Sequence, residues 1–206
     1  AKKKAIKQGA MQELLKPKKG WEFKPLGEVA DFTNGKAHEQ FIDENGKYIV
    51  VNSKFVSTEG NVIKYSNQNI CPLFVGDIAL VMSDIPNGKA LAKCFLVDKN
   101  NKYTLNQRIG SIHPKTGDSK YYFYQLNRNN YFLAFDSGAG QTNLKKNDIL
   151  GCPFPLPPSF KDQAKIAEIL SDMDAEIETL EKKLEKYKML KQGMMQNLLT
   201  GKIRLI

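Results

Sequence analysis

Apolar residues recur in alternating steps of four and three along the last quarter of the chain: Ile166, Leu170, Met173, Ile177, Leu180, Leu184, Tyr187, Met194 and Leu198. Lys191 is the one polar interruption of that seam. A heptad stripe sustained over about five repeats predicts a coiled-coil helix. Pro157-Pro158 stop what precedes it, Ser159 stands three residues before Asp162 as in a capping box, and Thr200-Gly201 ends it. A helix of that span is about 60 Å long, more than one small globule can cover, so it calls for a partner helix.

The pattern between Trp21 and Leu156 is different. A short helical turn is expected around Gly27-Glu28-Val29-Ala30, and strands over Tyr48–Asn52, Asn61–Tyr65, Asp77–Met82, Ala90–Val97 and Ile109–His113, parted by Gly, Asn, Asp and Pro. Tyr121–Phe135, crowded with aromatics, reads as one helix. Gly138-Ala139-Gly140 reads as a loop, and Cys152–Leu156 leads out. The fold class expected is α+β: a globule of roughly 135 residues, large enough to bury a core, followed by a long coiled-coil helix.

An internal repeat fixes the boundaries. Residues 4–15 align with residues 188–199 at a constant offset, with eight of twelve positions identical, including Lys-Gln-Gly, Met-Gln and Leu-Leu. The chain thus begins with the tail of one long helix and ends with the tail of a related one. The divisions are 1–19 for the first tail, 20–158 for the globule, 159–200 for the helix and 201–206 for a terminal segment.

Charge sharpens the helix reading. The net charge is +9, of which +6 lies in residues 1–20, +2 in 21–159 and +1 in 160–206. Within the helix, residues 161–181 carry −5 and 182–204 carry +6. Such polarity favours antiparallel pairing of two copies, acidic half against basic half. The N-terminal repeat, being basic, can also fold back on the acidic half. A basic chain makes nucleic acid a plausible partner, and its distribution argues no further.

Catalytic signatures are missing from the sequence. There is no phosphate loop: Asn34-Gly35-Lys36 and Asn87-Gly88-Lys89 lack its upstream glycine and its Ser/Thr. Gly138-Ala139-Gly140 lacks the third glycine of a dinucleotide fingerprint. Leu156-Pro157-Pro158-Ser159-Phe160 lacks the polar first residue of an amino-methyltransferase motif. Cys71, Cys94 and Cys152 are scattered, which fits a reducing cytoplasm, and with His38 and His113 they give no zinc spacing. No apolar run is long enough to span a membrane.

A globule followed by a heptad helix, inside a tandem repeat, resembles the specificity subunit of Type I restriction–modification systems. The resemblance covers essentially the whole chain. It is carried by Trp21-x-x-x-x-Leu26-Gly27-Glu28-Val29, by Gly76-Asp77-Ile78, by the helix start Pro155 to Asp162-Gln163-x-x-Ile166, and by Lys191-Gln192-Gly193-x-x-Gln196-x-Leu198-Leu199-Thr200-Gly201-Lys202-Ile203-Arg204-Leu205. Family members usually hold two target-recognition domains and two conserved helices. This chain departs from that pattern, with one domain, one complete helix and the tail of another.

The resemblance implies a non-catalytic protein whose globule reads one half of a split double-stranded DNA target, while the helix sets spacing and docks modification subunits. A restriction subunit joins them. S-adenosylmethionine, ATP and Mg are then expected only on those partners, no metal is expected on this chain, and a homodimer through antiparallel helices would restore two recognition domains. Other readings open at this stage are an anti-restriction or regulatory half-subunit decoy and a coiled-coil protein adaptor.

Base reading needs amides and guanidinium groups on loops, and positioning on the duplex needs lysines. The loop candidates are Asn52, Ser53 and Lys54; Ser83, Asn87 and Lys89; Asn106, Gln107 and Arg108; and Gln141, Thr142 and Asn143 with Lys145 and Lys146. Lys36 and His38 are secondary candidates, and His113 is expected to be structural.

Overall fold

In a computed structural model of the chain, residues 2–85, 88–138 and 140–200 are described. The elements run α1 (Lys2–Leu14), β1 (Glu22–Pro25), α2 (Leu26–Val29), β2 (Ala30–Asn34), β3 (Tyr48–Val51), α3 (Ser53–Ser57), β4 (Tyr65–Ser66) and β5 (Ile78–Val81). They continue through β6 (Ser83–Asp84), β7 (Cys94–Leu96), β8 (Tyr103–Leu105), β9 (Ile109–Pro114), α4 (Ser119–Leu126) and α5 (Asn130–Leu133). β10 (Thr142–Asn143), α6 (Lys146–Leu150), β11 (Pro153–Leu156) and α7 (Phe160–Leu199) complete the order. Two units result: Leu15–Ala167, and a helical unit of α1 with α7 from Glu168 onward.

The α+β class holds. In the larger unit, an antiparallel sheet of order β2-β9-β5-β7 lies at the centre, beside a three-stranded sheet β4-β3-β8 in which β3 and β8 are parallel. β5 explains its own sequence. Ile78 and Leu80 belong to one apolar cluster, with Tyr122, Phe132 and Phe154; Ala79 and Val81 belong to the other, with Phe55, Leu73 and Leu105. A strand covered on both faces loses polar alternation and reads as a continuous apolar run.

Three expected elements differ from the sequence reading. Asn61–Tyr65 contributes only Tyr65 to a strand, because the run before it closes helix α3. Glu59 and Gly60 take positive φ there, and the Thr58 hydroxyl accepts from Val62 N. Ala90–Val97 shortens to Cys94–Leu96, since the Asp84 carboxylate binds the N–H groups of Ala90 and Leu91 and Ala92 has φ +57°. The aromatic helix splits in two at Asn127-Arg128-Asn129. Arg128 sits at φ +58°, Asn127 Oδ1 accepts from Cys94 N, and Asn129 caps α5.

β11 is a strand despite Pro153 and Pro155, because it pairs only with β1 and proline is tolerated at such an edge. The pair brings Glu22 opposite Leu156, so the two ends of the globule lie side by side. Tyr122 stacks on Phe154 with ring centroids 4.3 Å apart, and the buried Tyr121 hydroxyl donates to the Pro155 carbonyl at 2.8 Å. Burial pushes the Tyr122 phenol up to about 12.

α7 begins as expected. Ser159 Oγ accepts from Asp162 N at 3.2 Å and donates to Asp162 Oδ2 at 2.7 Å. In the helical unit, α1 lies along the acidic part of α7 through ion pairs Lys3–Glu176, Lys4–Glu181 and Lys7–Asp174. Leu170 is buried, and Ile166, Met173 and Ile177 are half-buried. Leu180, Leu184, Tyr187, Met194 and Leu198 are exposed. No described helix is long and apolar enough to cross a membrane.

Candidate nucleic-acid interface

Antiparallel and parallel registers together decide which loops share an end. Asn34 of β2 faces Gly110 of β9, and Val81 of β5 faces Ile109, so β2 and β5 finish where β9 starts. Val51 and Leu105 are register partners in parallel strands, so β3 and β8 finish together. Asn106 ties the two sheets: its N–H donates to the Val51 carbonyl at 3.1 Å, and it bridges to Lys36 beyond β2. Met82 ties the last segment, donating to the Arg108 carbonyl and accepting from Leu144 N. The segments after β2, β3, β5 and β8, and the one around β10, therefore converge on one end of the globule. The opposite end holds Pro114, Gly117 and Gln163, whose side chain accepts from Asp118 N.

All four loop groups of the sequence reading meet there, with the Gly35–Glu39 segment beside them. Their side chains are not equivalent. Gln107, Arg108, Gln141, Asn143, Lys54, Lys89, Lys145 and Lys146 are exposed. Asn106 and Ser53 are half-buried. Thr142 is buried, with its hydroxyl 3.1 Å from Asp136 Oδ1. Ser83 is buried as well; its hydroxyl donates to Asn143 Oδ1 at 2.6 Å and accepts from Gln141 Nε2 at 2.7 Å. Ser83 thereby orients two amides without itself facing solvent. Asn52 caps α3 by accepting from Phe55 N. Asn87 lies outside the described residues.

The end is positively biased. The segments carry Lys36, Lys54, Lys89, Arg108, Lys145 and Lys146 against the carboxylates Glu39, Asp84, Asp136 and Asp148, each of which already holds a hydrogen bond. Asp84 accepts from three backbone N–H groups, of Ile85, Ala90 and Leu91, and Glu39 accepts from Gln107 Nε2 at 3.2 Å. His38 is held at both ring nitrogens. It is buried, Nδ1–H donates to the Lys36 carbonyl at 2.7 Å, and Nε2 accepts from the Thr104 hydroxyl at 2.7 Å. Burial lowers its pKa, against smaller opposing effects of the Lys36 carbonyl and Glu39. His113 is exposed and pairs with the buried Asp77 at 2.7 Å, at the far end of β9.

The sequence reading passed over two features. Gly35 has no room for a Cβ against the Asn106 backbone, so only glycine lets the β2 and β8 ends touch. Ile85 is 68% exposed at this end, an apolar group among amides and lysines. A glycine directly after a strand signals the first; nothing in the sequence separates Ile85 from a core residue. Among the described residues, no group of three or more His, Cys, Asp and Glu is placed to hold a metal ion.

Residues 18–188 match the family described as Type I restriction modification DNA specificity domain. The Type I restriction enzyme MjaVIII specificity subunit of Methanocaldococcus jannaschii is 28% identical over 193 residues, covering 90% of this chain and 43% of that protein. Among solved structures, a chain from work on complex assembly and conformational transition of the type I R-M system superposes with a TM-score of 0.70 at 15% identity. It covers 95% of this chain and 51% of that one. The S subunit of a Type-I restriction-modification system from M. genitalium gives 0.64 at 19% identity, over 89% and 47%. The chain spans about half the length of the curated relatives it matches. With 171 of its 206 residues inside the matched region, the chain belongs to the Type I restriction modification DNA specificity domain family.

Proposed function

We propose that this chain is a non-catalytic specificity component that reads one half of a bipartite double-stranded DNA target. The observation that carries the reading is the convergence of five loop segments, rich in amide, guanidinium and ammonium groups, on one end of a doubly covered sheet. Such an end combines a rigid platform with side chains suited to base edges and phosphates. Gln107, Arg108, Gln141 and Asn143 are the base readers, Arg108 suiting guanine and the amides adenine. Lys54, Lys89, Lys145 and Lys146 hold phosphates. Thr142, Ser83 and Asn52 hold the loops in shape.

Modification subunits dock on α7 and the globule and carry S-adenosylmethionine; a restriction subunit carries ATP and Mg. The complex works in the cytoplasm. The exposed apolar half of α7, Leu180 to Leu198, is a pairing surface, and a second copy of this chain satisfies it by antiparallel pairing. Two copies would present two identical readers to a symmetric split target. The test is to supply this chain to a modification subunit and sequence the methylated positions on random DNA. A bipartite motif that changes with Arg108→Ala and Gln141→Ala is expected; methylation with no motif, or a motif indifferent to both, overturns the reading.

A further inference from the structure

The internal repeat and the ion pairs of α1 bear on one another. α1 presents Lys7, Ala10, Met11 and Leu14 as its half-buried face, while Lys3, Lys4 and Lys7 pair with Glu176, Glu181 and Asp174. Under the repeat alignment, Lys4 and Lys7 correspond to Lys188 and Lys191, and the half-buried face corresponds to Lys191, Met194, Met195 and Leu198. On α7 that second set has no such cover: Met194 is 58% exposed and Met195 49%. The same short sequence thus occurs twice, once seated on the acidic part of α7 and once displaying its seam to solvent.

We infer that α1 is an internal competitor for self-pairing: it occupies the seat on α7 that the segment Lys188–Leu199 of a second copy would otherwise take. The inference rests on the reading of the exposed half of α7 as a pairing surface, and deepens it. Transferring the α1 contacts through the alignment sets Lys188 against Glu181 of the second copy and Lys191 against its Asp174. Both pairings put the two-fold axis near Lys183 and Leu184. That register also lays Leu180 against Tyr187, Ile177 against Leu190 and Met173 against Met194, apolar against apolar throughout. The −5 segment meets the +6 segment twice, once on each side of the axis.

A seat filled from within reduces the pairing-competent fraction, and so weakens apparent association by that fraction. Releasing α1 should strengthen it. Sedimentation equilibrium on the full chain, without DNA, tests this with two charge-reversed variants. K4E/K7E repels α1 from Glu181 and Asp174 and should dimerise about tenfold more tightly than the parent. K188E/K191E, altered at the matching positions of the other repeat, should dimerise about tenfold more weakly. Circular dichroism at 222 nm confirms that both stay helical. Leu184→Cys, placed at the axis, should join two copies by an interchain disulfide under mild oxidation, more completely in the K4E/K7E background. Unchanged or weaker association of K4E/K7E, undiminished association of K188E/K191E, or no cross-link at Leu184→Cys each overturns the competition. Because association is read without DNA, a chain that passes here and still confers no methylation motif condemns the DNA reading alone.

Discussion

Exposed and engaged side chains at the loop end part into two groups with different mutational signatures. Gln107→Ala, Arg108→Ala and Gln141→Ala each remove an exposed side chain that the proposed function assigns to base reading, and each should cost about 1–3 kcal/mol of discrimination at one target position, read by binding to a panel of single-base variants. Thr142→Ala removes a buried hydroxyl at Asp136 instead, and should cost about 1 kcal/mol of stability while leaving the base preference in place, a difference that chemical denaturation and the same panel resolve. His38 adds a pH dependence. Its pKa is lower in the folded chain than its ordinary 6.5, so the unfolded chain binds the proton first. Its contribution is fully present above pH 6.5 and is lost as pH falls through the lowered value. The Tm should therefore decline between about pH 7 and pH 5.5, and less steeply in His38→Gln.

Long-period and fully buried elements were legible in the sequence; elements decided by contacts between distant residues were not. α7 carries its own start signal and five heptads, and β5 is a run of four apolar residues between turns. Ser159→Ala removes the serine hydroxyl from that start signal and should cost about 1 kcal/mol in the thermal unfolding of the chain, followed by circular dichroism. Cys152–Leu156 reads only as a lead-out in the sequence; its two prolines argue against a strand, and pairing with β1 overrides them. The break in the aromatic helix was hidden for the same reason. Asn127-Arg128-Asn129 can continue a helix, yet Cys94 N and the Ala92 carbonyl, both far away in sequence, capture Asn127 and Arg128. At the candidate site, residue types on loops were readable from composition. Which of them are exposed was not, because Ser83 and Thr142 look as available in sequence as Gln141 and Asn143.

For the molecule as a whole, charge sets a limit on what one chain does unaided. Residues 21–159 carry only +2, so few phosphates can be neutralised at a time. Binding of the chain alone to duplex DNA should be weak and should fall steeply between 50 and about 200 mM salt, and addition of modification subunits should raise both affinity and sequence preference. Fluorescence anisotropy across a salt series checks this, and tight, salt-resistant, sequence-specific binding by the chain alone would contradict the division of labour proposed above.

The β1–β11 pair carries a consequence for how such a protein changes over generations. The chain enters the sheets of the globule at Glu22 and leaves them at Leu156, its register partner, so the two ends of the module lie side by side. A module whose ends meet can be exchanged for another by two crossovers at that pair, leaving the flanking helices in frame and in register. Under the function proposed above, recombination between related genes would trade one reader for another in a single event and so change the DNA sequence that is read.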